Sequence, residues 1–267
     1  MELNNDNYYS VESNLHYMSA TQFKDFLKCE KEGLAKAKGE YVEEPSKAML
    51  VGSYVDAYYS GEMDTFKEKN PQIFKKDGTL LKDFEKANEI IDTINNDNML
   101  LAYLSGKHQV IMVGEISGVP FKIKIDSLLD WAIVDQKIMA SITDLIWVDQ
   151  NGKNVKTDFV QAYGYDIQGA IYQEIVRQNL GVKLPFVLAV ATKEDCPDKA
   201  LIHINQYYLD KALELVKQNA PRFNAIKKGE IAPNSCGHCP TCRKDKKLDC
   251  VLSYEKLFNK VRENEND

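Results

Sequence analysis

Three consecutive runs following residue 107 constrain this chain more than any other feature. HQVIMVGEISG, VPFKIKIDSLLD and WAIVDQKIM are each β-rich and separated only by short turns, which predicts a three-stranded antiparallel meander. In the second run Phe121, Ile123 and Ile125 alternate with Lys122, Lys124 and Asp126. The strand period of two puts Asp126 on a polar face with the two lysines. In the third, Asp135 and Lys137 are two apart and share a face. Asp126 and Asp135 are nine residues apart across a short turn, so hairpin pairing can bring both carboxylates together. Glu115, one strand earlier, can join them from the neighbouring edge.

The flanking segments read mainly as helices. Residues 1–17 are irregular and polar and carry the pair Tyr8-Tyr9. One helix is predicted from Ser19, a candidate N-cap, along the stripe of Phe23, Phe26 and Leu27 to Gly39. A second covers Ser46 to Tyr59, loop with short helical pieces covers 61–81, and helical periodicity returns over 82–104. After the meander the pattern predicts a long helix from Thr157 to Asn179, closed by Gly181. A buried strand in LPFVLAVATKE, a further strand in KALIHINQYY and a helix over 209–228 follow. A Cys- and Lys-rich tail starts at Pro233, with a last helix around Ser253–Arg262. This order predicts an α/β fold with a central mixed sheet flanked by helices. It reads as one domain over 1–267: a mainly helical part over 1–104, an α/β core over 105–230 and the tail over 231–267.

Two or three carboxylates beside a lysine have a defined use. Their oxygens hold Mg²⁺ or Mn²⁺ with positions left for water and phosphate, and the lysine orients the water or stabilises charge on the phosphate. The alternative is a hairpin face of solvated charges. Composition excludes little here: 44% hydrophobic and 28% charged residues describe an ordinary globular chain. The net charge of −6 lacks the basic excess of many nucleic-acid binders, although carboxylates gathered for metal lower it while a groove stays basic. No apolar run approaches the roughly 20 residues that span a bilayer, and MELNNDNYYSVESN has no signal-peptide pattern. A cytoplasmic protein with no membrane association is expected.

Four of the six cysteines lie in SCGHCPTCRKDKKLDC, as Cys236-x₂-Cys239-x₂-Cys242-x₇-Cys250. Such spacing lets thiolates converge on a metal without long-range folding, and does not choose between zinc and an iron–sulfur cluster. Cys196 reads as a lone thiol. His238 sits within the run as either a substitute zinc ligand or a solvated loop histidine, while His16, His108 and His203 have no partner spacing. Lysines 24, 28, 31, 36 and 38, with Arg243, Lys244, Lys246 and Lys247, either flank a DNA path or form a wet face.

Asp126 followed by Asp135-Gln136-Lys137 on an apolar strand resembles the PD-(D/E)XK nuclease signature. YGYDIQGAIYQEIV places Gln168 and Tyr172 one helical turn apart on one face, and this resembles the Q-x-x-x-Y element of the exonuclease branch. The stretch KIKIDSLL…IVDQK…YGYDIQGAIY is similar to prophage RecE-type exonucleases (exodeoxyribonuclease VIII). The resemblance implies a PD-(D/E)XK core and a Mg²⁺- or Mn²⁺-dependent exonuclease that resects linear duplex DNA for recombination. Asp126 and Asp135 would carry the metal chemistry with Lys137, and Gln168 and Tyr172 would line the site. A single-strand annealing protein and a homo-oligomer are its implied partners. SATQFKDFLKCEKEG resembles the opening helix of these and of CRISPR-associated exonucleases. MLVGSYVDAYYSG resembles the family's G-x-x-x-H helix, with Asp56 where the metal-binding histidine stands, so Asp56 is either a carboxylate ligand or a surface residue. In related Fe–S nucleases one cysteine comes from the N-terminal helix, and Cys29 matches it. A [4Fe–4S] site of Cys29 with three tail cysteines and a local Zn²⁺ site of Cys236, Cys239, Cys242 and Cys250 both fit. Two rival functions follow: an Fe–S exonuclease of a CRISPR-adaptation type, and an inactive nuclease-like DNA-binding module.

Overall fold

Side chains that satisfy the first free N–H groups set where several helices begin. Ser10 caps α1 (Val11–His16). Ser19 opens α2 (Ala20–Lys28) through a reciprocal capping box with Gln22. The single helix predicted from Ser19 to Gly39 is two helices, because Cys29 takes an extended conformation (φ −162°, ψ 115°) between α2 and α3 (Glu30–Ala37). The second folds back on the first so closely that a Cβ at Gly33 would lie 2.9 Å from the Phe26 ring. Ser46 caps α4 (Lys47–Ser60), which ends at the left-handed Gly61. The region to residue 81 holds α5 (Met63–Lys69) and a 3₁₀ turn at Pro71–Ile73. The helical stretch before the sheet is a 3₁₀ turn at Lys82–Phe84, then α6 (Lys86–Asn95) and α7 (Asn98–Leu104), the last capped by Asp97.

The structure is a computed structural model and describes residues 1–150, 153–248, 250, 251 and 253–255. The meander forms as β1 (Lys107–Ile116), β2 (Val119–Leu128) and β3 (Ile133–Met139), antiparallel throughout. The helix expected from Thr157 starts later. A separate antiparallel hairpin of β4 (Ile146–Gln150) and β5 (Lys153–Thr157) comes first, then the one-turn α8 (Phe159–Ala162) and α9 (Tyr165–Leu180). The break between the two helices is at Gly164, whose φ of +61° no β-carbon-bearing residue adopts cheaply. The chain continues through β6 (Phe186–Thr192), β7 (Lys199–His203), α10 (Gln206–Lys227) and α11 (Pro240–Lys244). The final helix expected around Ser253–Arg262 lies largely outside the described residues.

The main sheet has the order β1-β2-β3-β6-β7, with β3 and β6 parallel and every other pair antiparallel. A parallel pair needs a crossover, and β4, β5, α8 and α9 supply it. Both central strands are covered on both faces. Ile133, Leu188 and Val190 join Phe121, Ile123 and Ile125 beneath α2, α9 and α10, while Val134, Ala189 and Ala191 pack with α4, α6 and α7. That two-sided burial is why FVLAVAT is apolar without alternation. The polar face of β2 is not a wet surface either. Lys122 is 1% exposed, because residues 8–14 lie over it. No helix among the described residues is long and apolar enough to cross a membrane.

Candidate active site and cysteine centre

The chemistry gathers where β2 and β3 part. These strands pair only at Ser127 with Val134 and Leu128 with Ile133, whereas β3 pairs with β6 along its whole length. Beyond Ser127 the Asp126 carboxylate replaces the ladder, accepting a 2.9 Å hydrogen bond from the Gln136 N–H through Oδ2. Asp135 is 2% exposed. Its Oδ1 accepts from Gln168 Nε2 at 2.7 Å, and its Oδ2 is ion-paired with Lys137. The Lys137 ammonium lies 5.4 Å over the Tyr165 ring. Asp56, on α4, faces the same cleft of about 360 Å³ as Asp126, Asp135 and Lys137. It also faces an adjoining groove with Gly52, Gln136 and Lys193.

The carboxylates gathered in this cleft repel one another. Burial, then the neighbouring Asp135 and Asp56, push the Asp126 carboxyl well above the usual carboxylate range. Asp56 is also raised, by burial and by Asp135, against the pull of Lys137. Burial alone would lower Lys137, but Asp135 and Asp126 outweigh it and hold the ammonium above its ordinary value. A hard divalent cation would reverse the repulsion among these oxygens. The donor set is all oxygen, which suits Mg²⁺ or Mn²⁺, and Asp56, Asp126 and Asp135 line one cleft. The residues therefore fit such an ion.

Gln168 and Tyr172 share a face of α9 as their spacing requires, but they do different things. Gln168 fixes Asp135, while the Tyr172 hydroxyl donates to the Lys124 carbonyl at 3.0 Å and so holds the backbone of β2. Gly169 between them lets α9 close onto the sheet, since a Cβ there would meet Phe186 at 2.6 Å. Glu115 is not brought to this group. Antiparallel register sets His108 against Ser127 and Val110 against Ile125, so Glu115 lies at the far end of β1 opposite Pro120. There it is exposed, and its N–H and carbonyl bind the Gln178 amide.

Lys24 belongs to this neighbourhood, and the sequence did not single it out from the other helix lysines. Its ammonium donates to the Tyr163 carbonyl at 3.0 Å and lies 5.6 Å over the Tyr165 ring. Burial, then Lys137, lower it to about 8. Its stem passes Gly164 so closely that a Cβ there would sit 2.8 Å from Lys24 Cδ. The only sequence signal was the glycine that splits α8 from α9.

The second centre joins the two ends of the fold. The sulfurs of Cys29, Cys236, Cys239 and Cys242 all lie within 4.8 Å of one another. Cys29 Sγ is 3.5 Å from Cys242 Sγ and 3.7 Å from Cys239 Sγ. The extended break at Cys29 puts this sulfur at the helix junction, and the Glu30 carboxylate, paired with Arg222, receives the Asn234 N–H at 2.7 Å and so ties the tail to it. Cys250 is exposed and outside the cluster, which corrects the purely local set of four. The tail leaves the cluster past the contact of Asp245 with Lys31. Cys196 is exposed, and His238 turns its Nδ1 to the Cys236 carbonyl rather than to the sulfurs.

Residues 19–245 match a family described as a PDDEXK-like domain of unknown function (DUF3799). The chain belongs to this family. Its PDDEXK-like fold is also that of a protein from Eubacterium rectale, solved by crystallography and named "Putative exonuclease". The two are 48% identical with a TM-score of 0.89, over 96% of this chain and 98% of that one. No curated protein matches the chain by sequence. The PD-(D/E)XK core that the resemblance implied is thus present, and both findings support a nuclease.

Proposed function

We propose that this PDDEXK-like chain is a divalent-metal-dependent DNA exonuclease that resects linear duplex DNA, as the RecE-type enzymes it resembles do. One observation carries the reading: Asp126, Asp135 and Lys137 face a single cleft at the point where β2 and β3 separate, with Gln168 bonded to Asp135. Asp126 and Asp135, with Asp56 in place of the histidine of related nucleases, would hold Mg²⁺ or Mn²⁺. When bound, such an ion makes a water more acidic and offsets charge on the phosphate. Lys137 would orient the water or a phosphate oxygen. Gln168 keeps the Asp135 carboxylate from rotating, and Tyr172 keeps β2 at its distance. In the hydrolysis a water oxygen forms the new P–O bond, one strand oxygen leaves, and that oxygen takes up a proton. Single-stranded DNA would be the product, with a strand-annealing protein as partner.

The four sulfurs of Cys29, Cys236, Cys239 and Cys242 are assigned to one metal centre. A tetrahedral ion with Zn–S bonds of about 2.3 Å needs sulfurs roughly 3.8 Å apart, and the observed separations of 3.5 and 3.7 Å are close to that. A [4Fe–4S] cluster, favoured by the resemblance to Fe–S nucleases, would hold them further apart. Metal and sulfide analysis of the purified chain distinguishes the two.

Degradation of end-labelled linear duplex DNA with Mg²⁺ or Mn²⁺ tests the main reading. The wild type is expected to release label only with metal, and Lys137→Ala and Asp135→Ala to lose roughly 10²-fold or more. If metal-replete wild type leaves linear, nicked and single-stranded DNA intact, the nuclease reading is wrong and a DNA-binding module takes its place.

A further inference from the structure

The family match begins at residue 19, and nothing in it accounts for the segment before, which closes one side of the cleft. That segment is held by two buried lysines and by pairing with β2. The buried Lys122 ammonium donates to the Tyr8 carbonyl, to Ser13 Oγ at 2.8 Å and to Asn14 Oδ1 at 2.7 Å. The Lys227 ammonium, 7% exposed, donates to the Tyr17 carbonyl at 2.6 Å. Met18 pairs with β2 through its N–H to Pro120 and its carbonyl to Lys122. Neither lysine has a carboxylate partner among the described residues; Lys122 donates only to this segment, and Lys227 divides its bonds between Tyr17 and Gln22 Oε1 at 3.3 Å.

What the clamp presents is Tyr9. Its neighbour Tyr8 is buried at 5% exposure, but Tyr9 is 71% exposed and lines the cleft that holds Asp126, Asp135 and Lys137. The Tyr8 ring meets it edge-on at 4.9 Å, and the Lys124 ammonium lies 5.6 Å from its centroid. An exposed aromatic ring on a pinned backbone, beside a cation and over a group of carboxylates, is a poor arrangement for stability alone. It suits a flat, polarisable ligand next to a phosphate. Aromatic rings stack on any nucleobase without reading sequence, which is what an enzyme moving along arbitrary DNA requires.

We propose that Tyr9 is a stacking platform for a nucleobase of the strand whose phosphate sits at Asp126 and Asp135, and that the segment pinned by Lys122 and Lys227 fixes how far that base lies from the cut. This rests on the nuclease reading above. The experiment uses the full chain carrying Lys137→Ala, so that DNA survives, and oligonucleotides with 2-aminopurine at one position at a time near the end. Quenching of 2-aminopurine at one position is expected. Tyr9→Ala should abolish that quenching and weaken binding about tenfold, while Tyr9→Phe, which keeps the ring, should preserve both. Unchanged quenching and affinity in Tyr9→Ala would overturn the stacking role and leave the nuclease intact. Absence of any DNA binding by fluorescence anisotropy would overturn both readings. Tyr9-dependent quenching by a wild type that never cuts DNA would uphold the platform and remove the nuclease.

Discussion

Replacing Gly169 by alanine should damage function more than stability, and the structure says by how much. The added Cβ would stand 2.6 Å from Phe186 Cδ1 and 2.9 Å from Leu209 Cδ2. Carbon atoms in contact prefer roughly 3.5–4.0 Å, so about 1 Å must be given up. Phe186 and Leu209 are both essentially fully buried, and Phe186 cannot swing aside freely because the Tyr172 ring meets it at 6.0 Å. Overpacking of this kind costs about 1–3 kcal/mol, while alanine for glycine in a helix returns about 1 kcal/mol. The net loss is therefore about 0–2 kcal/mol, a fall in Tm of only a few degrees for a chain of this size. Relief by moving α9 about 1 Å, however, breaks the 2.7 Å bond from Gln168 to Asp135, and a misplacement of that size near a reacting centre costs roughly 10²-fold. Thermal unfolding and single-turnover DNA degradation measure the two effects separately. Gly52→Ala is the control for stability, since its Cβ would meet Ile138 Cβ at an ordinary 3.7 Å. A Gly169→Ala protein as active as the wild type would refute the claim that close approach of α9 positions the carboxylate.

Two further outcomes are expected. Cys29→Ser should remove the bound metal and lower Tm by several degrees, whereas Cys250→Ser should change neither; metal analysis with thermal denaturation checks this, and equal loss from both would point to a different ligand set. Burial, then Lys122, lower the Lys227 amine to about 7, so its charged form is disfavoured in the fold relative to the unfolded chain. Below that pH both states are protonated and the whole penalty is felt; above it the folded group sheds its proton while the unfolded one still holds it. Stability should accordingly rise, on the order of 2 kcal/mol between about pH 7 and about pH 9, and Lys227→Met should flatten much of that rise in urea titrations.

What could be read directly from the chain was local. The alternation in VPFKIKIDSLL and the two-residue step from Asp135 to Lys137 depend only on the strand period, so the meander and the faces of its residues were legible. The same holds for the caps at Ser19 and Ser46, which bond N–H groups three residues on. Asn151-Gly152 between IWVDQ and KNVKT is a hairpin signal of this local kind, and it places a strand pair directly before the helix expected from Thr157.

The remainder depended on contacts that sequence spacing does not encode. Glu115 is as polar and as near in sequence as its partners, yet register sends it to the far end of β1. Lys24 and Lys28 lie on one helix, and the first is threaded past Gly164 to the Tyr163 carbonyl. Cys29 meets its three partners across more than two hundred residues, a match that spacing within the tail cannot reveal. Residue type and period determined which side chains this protein has for chemistry and which face of each element carries them. Tertiary closure, in which α9 packs onto the sheet and the N-terminal segment covers Lys122, decided which of them stand within reach of one another, because burial and charge coupling arise only when distant elements exclude water between them.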